Sequence, residues 1–210
     1  MYRKKLDRLI EAEYDFDIKT GFLRGWEIFK AVPIYSVAYT LLILSIQFLF
    51  VIYAPDFVFV FSVFLAGPMF AGFYLVANKV SQHEEVIYPD YFKGFAYYIP
   101  IILVWVVGQL LTVVGILLLV IPGIYLIIGY MFAILMNLFG GLDFWNSLEY
   151  SRKLIHKRWW KFLVFGLLIA LLNIIGAFIF VFGLAVTIPV TYYAIYSVFE
   201  KITKKTLLGE

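Results

Sequence analysis

The residues best suited to metal or acid–base chemistry form one short acidic stretch. His83, Glu84 and Glu85 are consecutive, and Asp90 follows in the same polar segment. Imidazole nitrogens and carboxylate oxygens bind divalent cations, so this stretch could hold a metal. The same composition is typical of a solvated acidic loop, which is the interpretation we favour. The chain contains no Cys, which excludes a thiolate site.

Other signs of catalysis are missing from the sequence. We find no HExxH, GxSxG or phosphate-binding glycine loop. The long apolar segments contain no Asp, Glu, Lys, Arg or His, although intramembrane enzymes and ion-coupled transporters depend on such residues. We therefore predict a non-enzymatic protein without a metal or a cofactor, and without a nucleic-acid partner.

Three amide side chains, Gln47, Gln109 and Asn173, lie deep in the apolar segments. Each follows the last Lys before its segment by 17, 16 and 12 residues, respectively. In a helix this corresponds to a depth of roughly 18–25 Å. Such amides either form hydrogen bonds between helices, worth about 0.6–2 kcal/mol each, or line a polar cavity. We favour the hydrogen bonds, whereas a cavity would support a carrier.

The polar segment 143–161 combines cations with aromatic side chains. Juxtamembrane Lys and Arg attract anionic lipid by about 1 kcal/mol each, and Trp is enriched at membrane interfaces. Alternatively, these cations serve only to set the membrane topology. The candidate lipid-headgroup or partner contacts are Arg152, Lys153, Lys157, Arg158, Trp159 and Trp160.

Arg152 differs from its neighbours because its helical angle places it at the edge of the apolar stripe. We predict that it is partly buried and paired with a carboxylate. The candidates are Glu149, three residues earlier, and Asp90 or Glu27 across the bundle.

The elements that must position these side chains are apolar helices. Hydrophobic residues make up 64% of the 210 residues and charged residues 15%, whereas soluble proteins average about 25% charged residues. A helix needs about 20 residues to cross a membrane. We predict six spans, at about 31–54, 57–78, 95–120 and 123–140, with two more in 162–199 that turn near Gly183. Asp90 is a candidate N-cap for the third span.

The cations indicate the sidedness of these spans. All 17 Lys and Arg residues lie in segments 1–30, 79–93, 143–161 and 201–210, and none lies in the three turns between paired spans. By the positive-inside rule, both termini are cytoplasmic. The prediction is a multi-pass protein of the cell inner (cytoplasmic) membrane.

The chain also divides into three similar parts. We predict three helical hairpins, over about 21–79, 88–140 and 143–200, each preceded by an amphipathic interfacial helix; chance similarity of apolar sequence is the alternative. The helix-breaking residues of the second spans are Pro68, Pro122 with Gly123, and Pro189. Such breaks mark sites in transporters, but in other bundles they only shape the fold.

The two ends of the chain are polar. Residues 1–20 read as a cytoplasmic arm with Tyr2, Leu6 and Leu9 on one side of a short helix, either solvated or anchored at the interface. Phe22, Trp26 and Phe29 then predict the first amphipathic helix. Residues 201–210 form a short basic tail.

Four stretches carry a resemblance to a known family: IPGIYL at 121–126, LEYSRKLIHKRWWKF at 148–162, NIIGAFIF at 173–180 and GLAVTIPVTYYAIY at 183–196. They resemble uncharacterised bacterial multi-span membrane proteins related to the membrane domain of glycerophosphodiester phosphodiesterases. The resemblance covers roughly residues 20–200 and implies a six-helix module of a bacterial inner membrane. No phosphodiesterase domain follows within these 210 residues, so we expect none of that activity.

Together, these features predict an all-α integral membrane protein with six transmembrane helices. The favoured function is membrane-organising or lipid-associated, with a cytoplasmic basic belt for anionic lipid or a protein partner. The alternative is a carrier or channel for a neutral or amphiphilic solute through a cavity between the hairpins. A continuous polar cavity would favour the carrier, and a packed bundle with lipid grooves beside 143–161 would favour lipid association. The sequence does not indicate an oligomeric state.

Overall fold

The computed structural model shows a helical protein. It describes residues 7, 10–11 and 13–204, and these contain no β-strand. The predictions for Tyr2, Leu6 and Leu9, and for the tail from residue 205 onward, lie outside the described residues. Six helices are long and apolar enough to cross a membrane, as the composition predicts. The protein is therefore a multi-pass membrane protein.

The helices are numbered here from Ile18 onward. A 3₁₀ helix, Tyr88–Tyr97, leads directly into the third span, and a π-helical segment, Phe61–Leu65, interrupts the second. The helices are α1 Ile18–Ala31, α2 Pro33–Tyr53, α3 Pro55–Ser81, α4 Tyr98–Leu118, α5 Val120–Gly129, α6 Ala133–Leu138, α7 Phe144–His156, α8 Trp159–Phe178 and α9 Phe180–Thr203.

Helix α1 is the amphipathic helix that the aromatic spacing predicts, but glycines form much of its buried face. Gly21 and Gly25 are buried one turn apart, against Val198 and Ala194 of α9. Small residues at this spacing allow two helix backbones to approach closely. The first helix is therefore packed against the last one, which ties the beginning of the described chain to its end.

A buried group of three hydroxyls joins three of the spans. Ser36 Oγ of α2 lies 2.8 Å from Tyr91 Oη and 2.7 Å from Tyr193 Oη of α9. The two tyrosine oxygens are 2.9 Å apart. Each hydroxyl can donate once and accept twice, so the triangle satisfies all three in the apolar interior. This network connects α2, the 3₁₀ helix and α9 within the core. The sequence alone does not indicate that these three side chains meet.

Asp90 is not the N-cap of the third span, and it is not part of a solvated loop. The 3₁₀ helix begins after Ile87, whose backbone N–H donates to the Asp90 carboxylate at 2.9 Å. Lys79 Nζ and Lys93 Nζ lie 2.8 and 2.7 Å from the same carboxylate, and the Asp90 side chain is only 1% exposed. A buried carboxylate is stable here because two cations compensate it. Asp90 therefore fastens the end of α3 to the start of the third span.

The last turn also differs from its predicted position. Helix α8 ends at Phe178, and Phe180, with φ 57°, begins α9. Gly183 lies within α9, where it packs against the backbone of Gly176. The glycine marks a close contact between helices, and the turn lies closer to Ile179.

The prolines shape the helices in different ways. Pro68 follows the π-helical segment, where a missing N–H fits an altered hydrogen-bond pattern. Pro122 lies in the first turn of α5, where its N–H is not needed, so the break falls at Leu119 and not at Pro122–Gly123. Pro189 lies inside α9, which continues through it.

The turn between α4 and α5, at Leu119, lies close to the basic segment. Tyr125, six residues after this turn, is about 9 Å from it along the helix. Its hydroxyl is 3.0 Å from His156 Nδ1 of α7. A bilayer core is about 30 Å thick, so Leu119 and the basic segment cannot lie on its two sides. This proximity is at odds with the predicted position of the turn on the opposite side of the membrane, and that position stays a prediction.

Candidate functional site

Four of the predicted lipid contacts line a single cavity of about 730 Å³. We call it the basic cavity. Its lining consists of Asp15, Ile121, Tyr125 and the six consecutive residues His156, Lys157, Arg158, Trp159, Trp160 and Lys161. The α7–α8 junction thus forms one wall, the N-terminal arm contributes a carboxylate, and the tip of the α4–α5 hairpin adds an apolar surface.

The electrostatic balance of the basic cavity is positive. Three cations, Lys157, Arg158 and Lys161, face one carboxylate, Asp15. Lys161 Nζ lies 2.6 Å from Asp15, and this hydrogen bond lowers the pKa of Asp15 below its usual value. Arg158 Nε donates to the backbone oxygen of Tyr14 at 3.3 Å. This bond orients the guanidinium.

Aromatic and apolar groups complete the wall of the basic cavity. The Trp159 ring stacks on Tyr125 with a centroid distance of 6.0 Å and meets Trp160 edge-on at 4.8 Å. Trp160 is 74% exposed and Ile121 is 79% exposed. An amphipathic indole beside cations is the arrangement found where a protein meets lipid headgroups. The basic cavity therefore offers positive charge and apolar surface side by side.

Arg152 and Lys153 lie outside the basic cavity, on α7. Arg152 Nε and Nη2 donate to the two Glu149 oxygens at 2.9 and 2.8 Å, and Lys153 Nζ is 3.3 Å from Glu149. The predicted pairing of a partly buried Arg152 with Glu149 is confirmed. The other two candidate carboxylates are engaged elsewhere: Glu27 pairs with Arg24, and Asp90 with the two lysines described above.

Helix α7 is held in place through its polar groups. The Asp143 side chain caps its first turn and accepts from Asn146 N–H at 3.0 Å. Ser151 Oγ donates to the Gly129 carbonyl at 2.7 Å and accepts from Phe132 N–H at 3.1 Å. These bonds satisfy backbone groups where the chain turns between α5 and α6. A single buried serine thereby connects the basic segment to the break in the fourth span.

Tyr125 connects the Arg152 pair with the basic cavity. Its hydroxyl accepts a hydrogen bond from Arg152 Nη1 at 3.1 Å and also contacts His156. Sequence reasoning missed five of the lining residues: Asp15, Ile121, Tyr125, His156 and Lys161. His156 directly precedes the predicted cation Lys157, but nothing in the local sequence indicates that residues 15, 121 and 125 lie beside these cations.

A second cavity lies between the helices and has a volume of about 540 Å³. We call it the central cavity. All seven helices from α3 to α9 contribute to its lining, which includes Gln109 of α4 and Asn173 of α8. Asn173 Nδ2 donates to Thr191 Oγ1 at 2.8 Å, which confirms the predicted interhelical hydrogen bond for this residue. Gln47 is exposed on α2 and lies outside the central cavity. The three amides do not form the ring that a polar pathway would need.

The acidic stretch does not form a metal site. No group of three or more His, Asp or Glu side chains within the described chain is arranged to hold a metal ion. Asp90 forms ion pairs with Lys79 and Lys93, while His83, Glu84 and Glu85 are exposed.

Comparison with known proteins finds no match to a family model, to a curated protein or to a solved structure. The resemblance to the membrane domain of glycerophosphodiester phosphodiesterases therefore stays a prediction.

Proposed function

We propose that this protein is a non-enzymatic, lipid-associated membrane protein that holds anionic lipid headgroups in the basic cavity. The observation that supports this proposal is the meeting of Lys157, Arg158, Trp159 and Trp160 around one cavity of about 730 Å³. A phosphate group needs donors and positive charge, and the adjacent acyl chains need an apolar surface. The exposed tip of the α4–α5 hairpin supplies that surface beside the cations.

The location that suits this function is a bacterial cytoplasmic membrane, with both ends of the chain on the cytoplasmic side. The distribution of all 17 Lys and Arg residues supports this orientation. Anionic lipids of the inner leaflet would then face the basic cavity directly. The same belt of cations also suits an acidic protein partner, which would approach from the cytoplasm.

The test compares two double variants with equal loss of charge. Lys157→Gln/Arg158→Gln removes two cations of the basic cavity, and Lys19→Gln/Lys30→Gln removes two exposed cations of α1. Each protein is released gently from its own membrane and its retained lipids are identified by native mass spectrometry. Two cations at about 1 kcal/mol each predict roughly a thirtyfold loss of anionic lipid from the cavity variant alone.

Two outcomes would contradict the proposal. Either the cavity variant retains as much anionic lipid as the unchanged protein, or the α1 variant loses as much as the cavity variant. The second outcome would mean that net charge, and not the basic cavity, attracts the lipid.

A carrier is less well supported by the contacts. Its strongest support in the sequence was a ring of Gln47, Gln109 and Asn173, and only the last two line the central cavity. The Asn173 amide nitrogen donates to Thr191 Oγ1 and to the Ile169 carbonyl. A continuous polar pathway therefore does not follow from these three residues.

A further inference from the structure

The central cavity has the size and composition of a ligand site that is separate from the basic cavity. Its volume of about 540 Å³ falls within the range of roughly 300–1,000 Å³ that is usual for small-molecule sites. Most of its wall is apolar and aromatic. Phe70 and Tyr192 stack with a centroid distance of 5.0 Å, and Trp105 and Tyr74 lie beside them.

The polar groups of the central cavity divide into two sets. Thr191 Oγ1 donates to the Thr187 carbonyl and accepts from Asn173 Nδ2, whereas Asn173 Oδ1 is buried without a hydrogen-bond partner among the described residues. The side chains of a second set make no hydrogen bond to any other described residue. Its members are Tyr74, Gln109, Thr112, Tyr130 and Tyr192.

The second set is uncharged, and this restricts the ligand. No Asp, Glu, Lys, Arg or His side chain of the described chain lines the central cavity. A charged headgroup would lose its hydration there without gaining a counter-ion. Hydroxyl and amide groups can instead satisfy a hydroxyl or a carbonyl of a ligand. The lining of the central cavity therefore favours a ligand with an uncharged polar head.

The position of Gln109 indicates how such a ligand would enter. Gln109 is exposed although it lines the cavity, and Thr112, one turn further along α4, is half-buried beside it. The neighbouring Leu110 and Val113 are exposed and apolar. The opening is therefore bordered by side chains suited to acyl chains, which could remain in the bilayer while the head enters.

We propose that the central cavity binds the head of an uncharged amphiphile that bears hydroxyl or carbonyl groups, entering from the bilayer beside α4. Gln109 and Thr112 hold the head at the opening, and the aromatic wall of Phe70, Trp105 and Tyr192 covers it. This site is additional to the proposed anionic-lipid site and does not depend on it.

The test uses dioleoylglycerol as the uncharged probe and dioleoylphosphatidylglycerol as the charged probe with the same chains. Each lipid is added to the detergent-purified protein, and the bound fraction is measured by native mass spectrometry. Gln109→Leu/Thr112→Val should lower dioleoylglycerol binding about tenfold, as expected for the loss of two neutral hydrogen bonds. Gln47→Leu is the matched control, since it removes an exposed span amide outside the cavity and should leave binding unchanged.

Three results would overturn the proposal: unchanged dioleoylglycerol binding in the double variant, an equal loss in Gln47→Leu, or loss of dioleoylglycerol in Lys157→Gln/Arg158→Gln. The last result would assign the bound dioleoylglycerol to the basic cavity. If the double variant does not fold, the nearly isosteric Thr112→Val alone should still weaken dioleoylglycerol binding. Retention of phosphatidylglycerol in the Lys157/Arg158 variant would contradict the basic-cavity proposal while leaving this one standing.

Discussion

At the scale of single residues, Arg152 is the side chain whose role is clearest. Its guanidinium makes two hydrogen bonds to Glu149 and one to Tyr125, and its side chain is 32% exposed. Arg152→Ala should lower the free energy of unfolding by about 1–2 kcal/mol, because the bidentate pair with Glu149 and the hydrogen bond to Tyr125 are lost together. Thermal unfolding in detergent measures this. A double-mutant cycle with Glu149→Gln isolates the pair, and a coupling energy near zero would contradict it.

The same pair predicts how stability depends on pH. The hydrogen bond from Arg152 lowers the pKa of Glu149 in the folded protein. The folded state therefore binds this proton more weakly than the unfolded state does. The stabilisation is complete above the ordinary Glu pKa of about 4.3 and is lost as the pH falls through the folded value. Glu149→Gln should flatten this part of the stability profile, and an unchanged profile would mean that other carboxylates determine it.

At the scale of helices, the close packing of α1 on α9 depends on what each glycine faces. A Cβ at Gly25 would lie 2.6 Å from the backbone nitrogen of Ala194, whereas one at Gly21 would lie 2.7 Å from a methyl of Val198. Backbone cannot rotate away, but a side-chain methyl can. Gly25→Ala should therefore destabilise the protein by about 1–3 kcal/mol.

Gly21→Ala is the matched control for this packing. The intrinsic helix preference of Ala over Gly, about 1 kcal/mol, should largely offset a contact that Val198 can relieve. The two variants are compared by thermal unfolding at equal detergent concentration. Equal melting temperatures for the two variants would show that α1 is not packed against α9 as described.

The sequence predicts the helices better than it predicts their contacts. The uncharged run between Lys30 and Asp56 sets the length of α2, so the predicted 31–54 agrees closely with Pro33–Tyr53. The aromatic spacing predicts α1, but the sequence analysis does not predict its packing through Gly21 and Gly25, and the sequence does not identify α9 as the partner. Gly183 predicts a turn but forms a helix contact, because a glycine serves both purposes equally well.

The candidate site likewise contains residues whose proximity the sequence predicts and residues whose proximity it does not. Lys157, Arg158, Trp159 and Trp160 are consecutive, so their proximity follows from the chain itself. Ile121 joins them from a distant part of the chain, through the orientation of the α4–α5 hairpin. Hydrophobicity and charge give the length of a hairpin but not the direction in which it points, since an uncharged turn is compatible with either side of the bilayer.

At the scale of the whole molecule, the charge pattern and the structure disagree about the direction of the α4–α5 hairpin. The structure keeps the Leu119 turn near the basic segment, whereas α8 runs for 20 residues, about 30 Å, from Trp159 before its turn at Ile179. Helix α8 is therefore long enough to cross the bilayer, whereas the tip of the α4–α5 hairpin lies beside the cations of the basic cavity.

Cysteine labelling in intact cells distinguishes these arrangements cleanly, because the natural chain contains no Cys. Single Cys variants at Leu119, Ile179 and Lys201 are treated with a membrane-impermeant maleimide before and after permeabilisation. We expect Ile179→Cys to react from outside, and both Leu119→Cys and Lys201→Cys to be protected in intact cells. Reaction of Leu119→Cys from outside, at the same rate as Ile179→Cys, would show that the second hairpin crosses the membrane fully. It would also remove Ile121 and Tyr125 from the basic cavity, leaving the cations of the α7–α8 junction without their apolar wall.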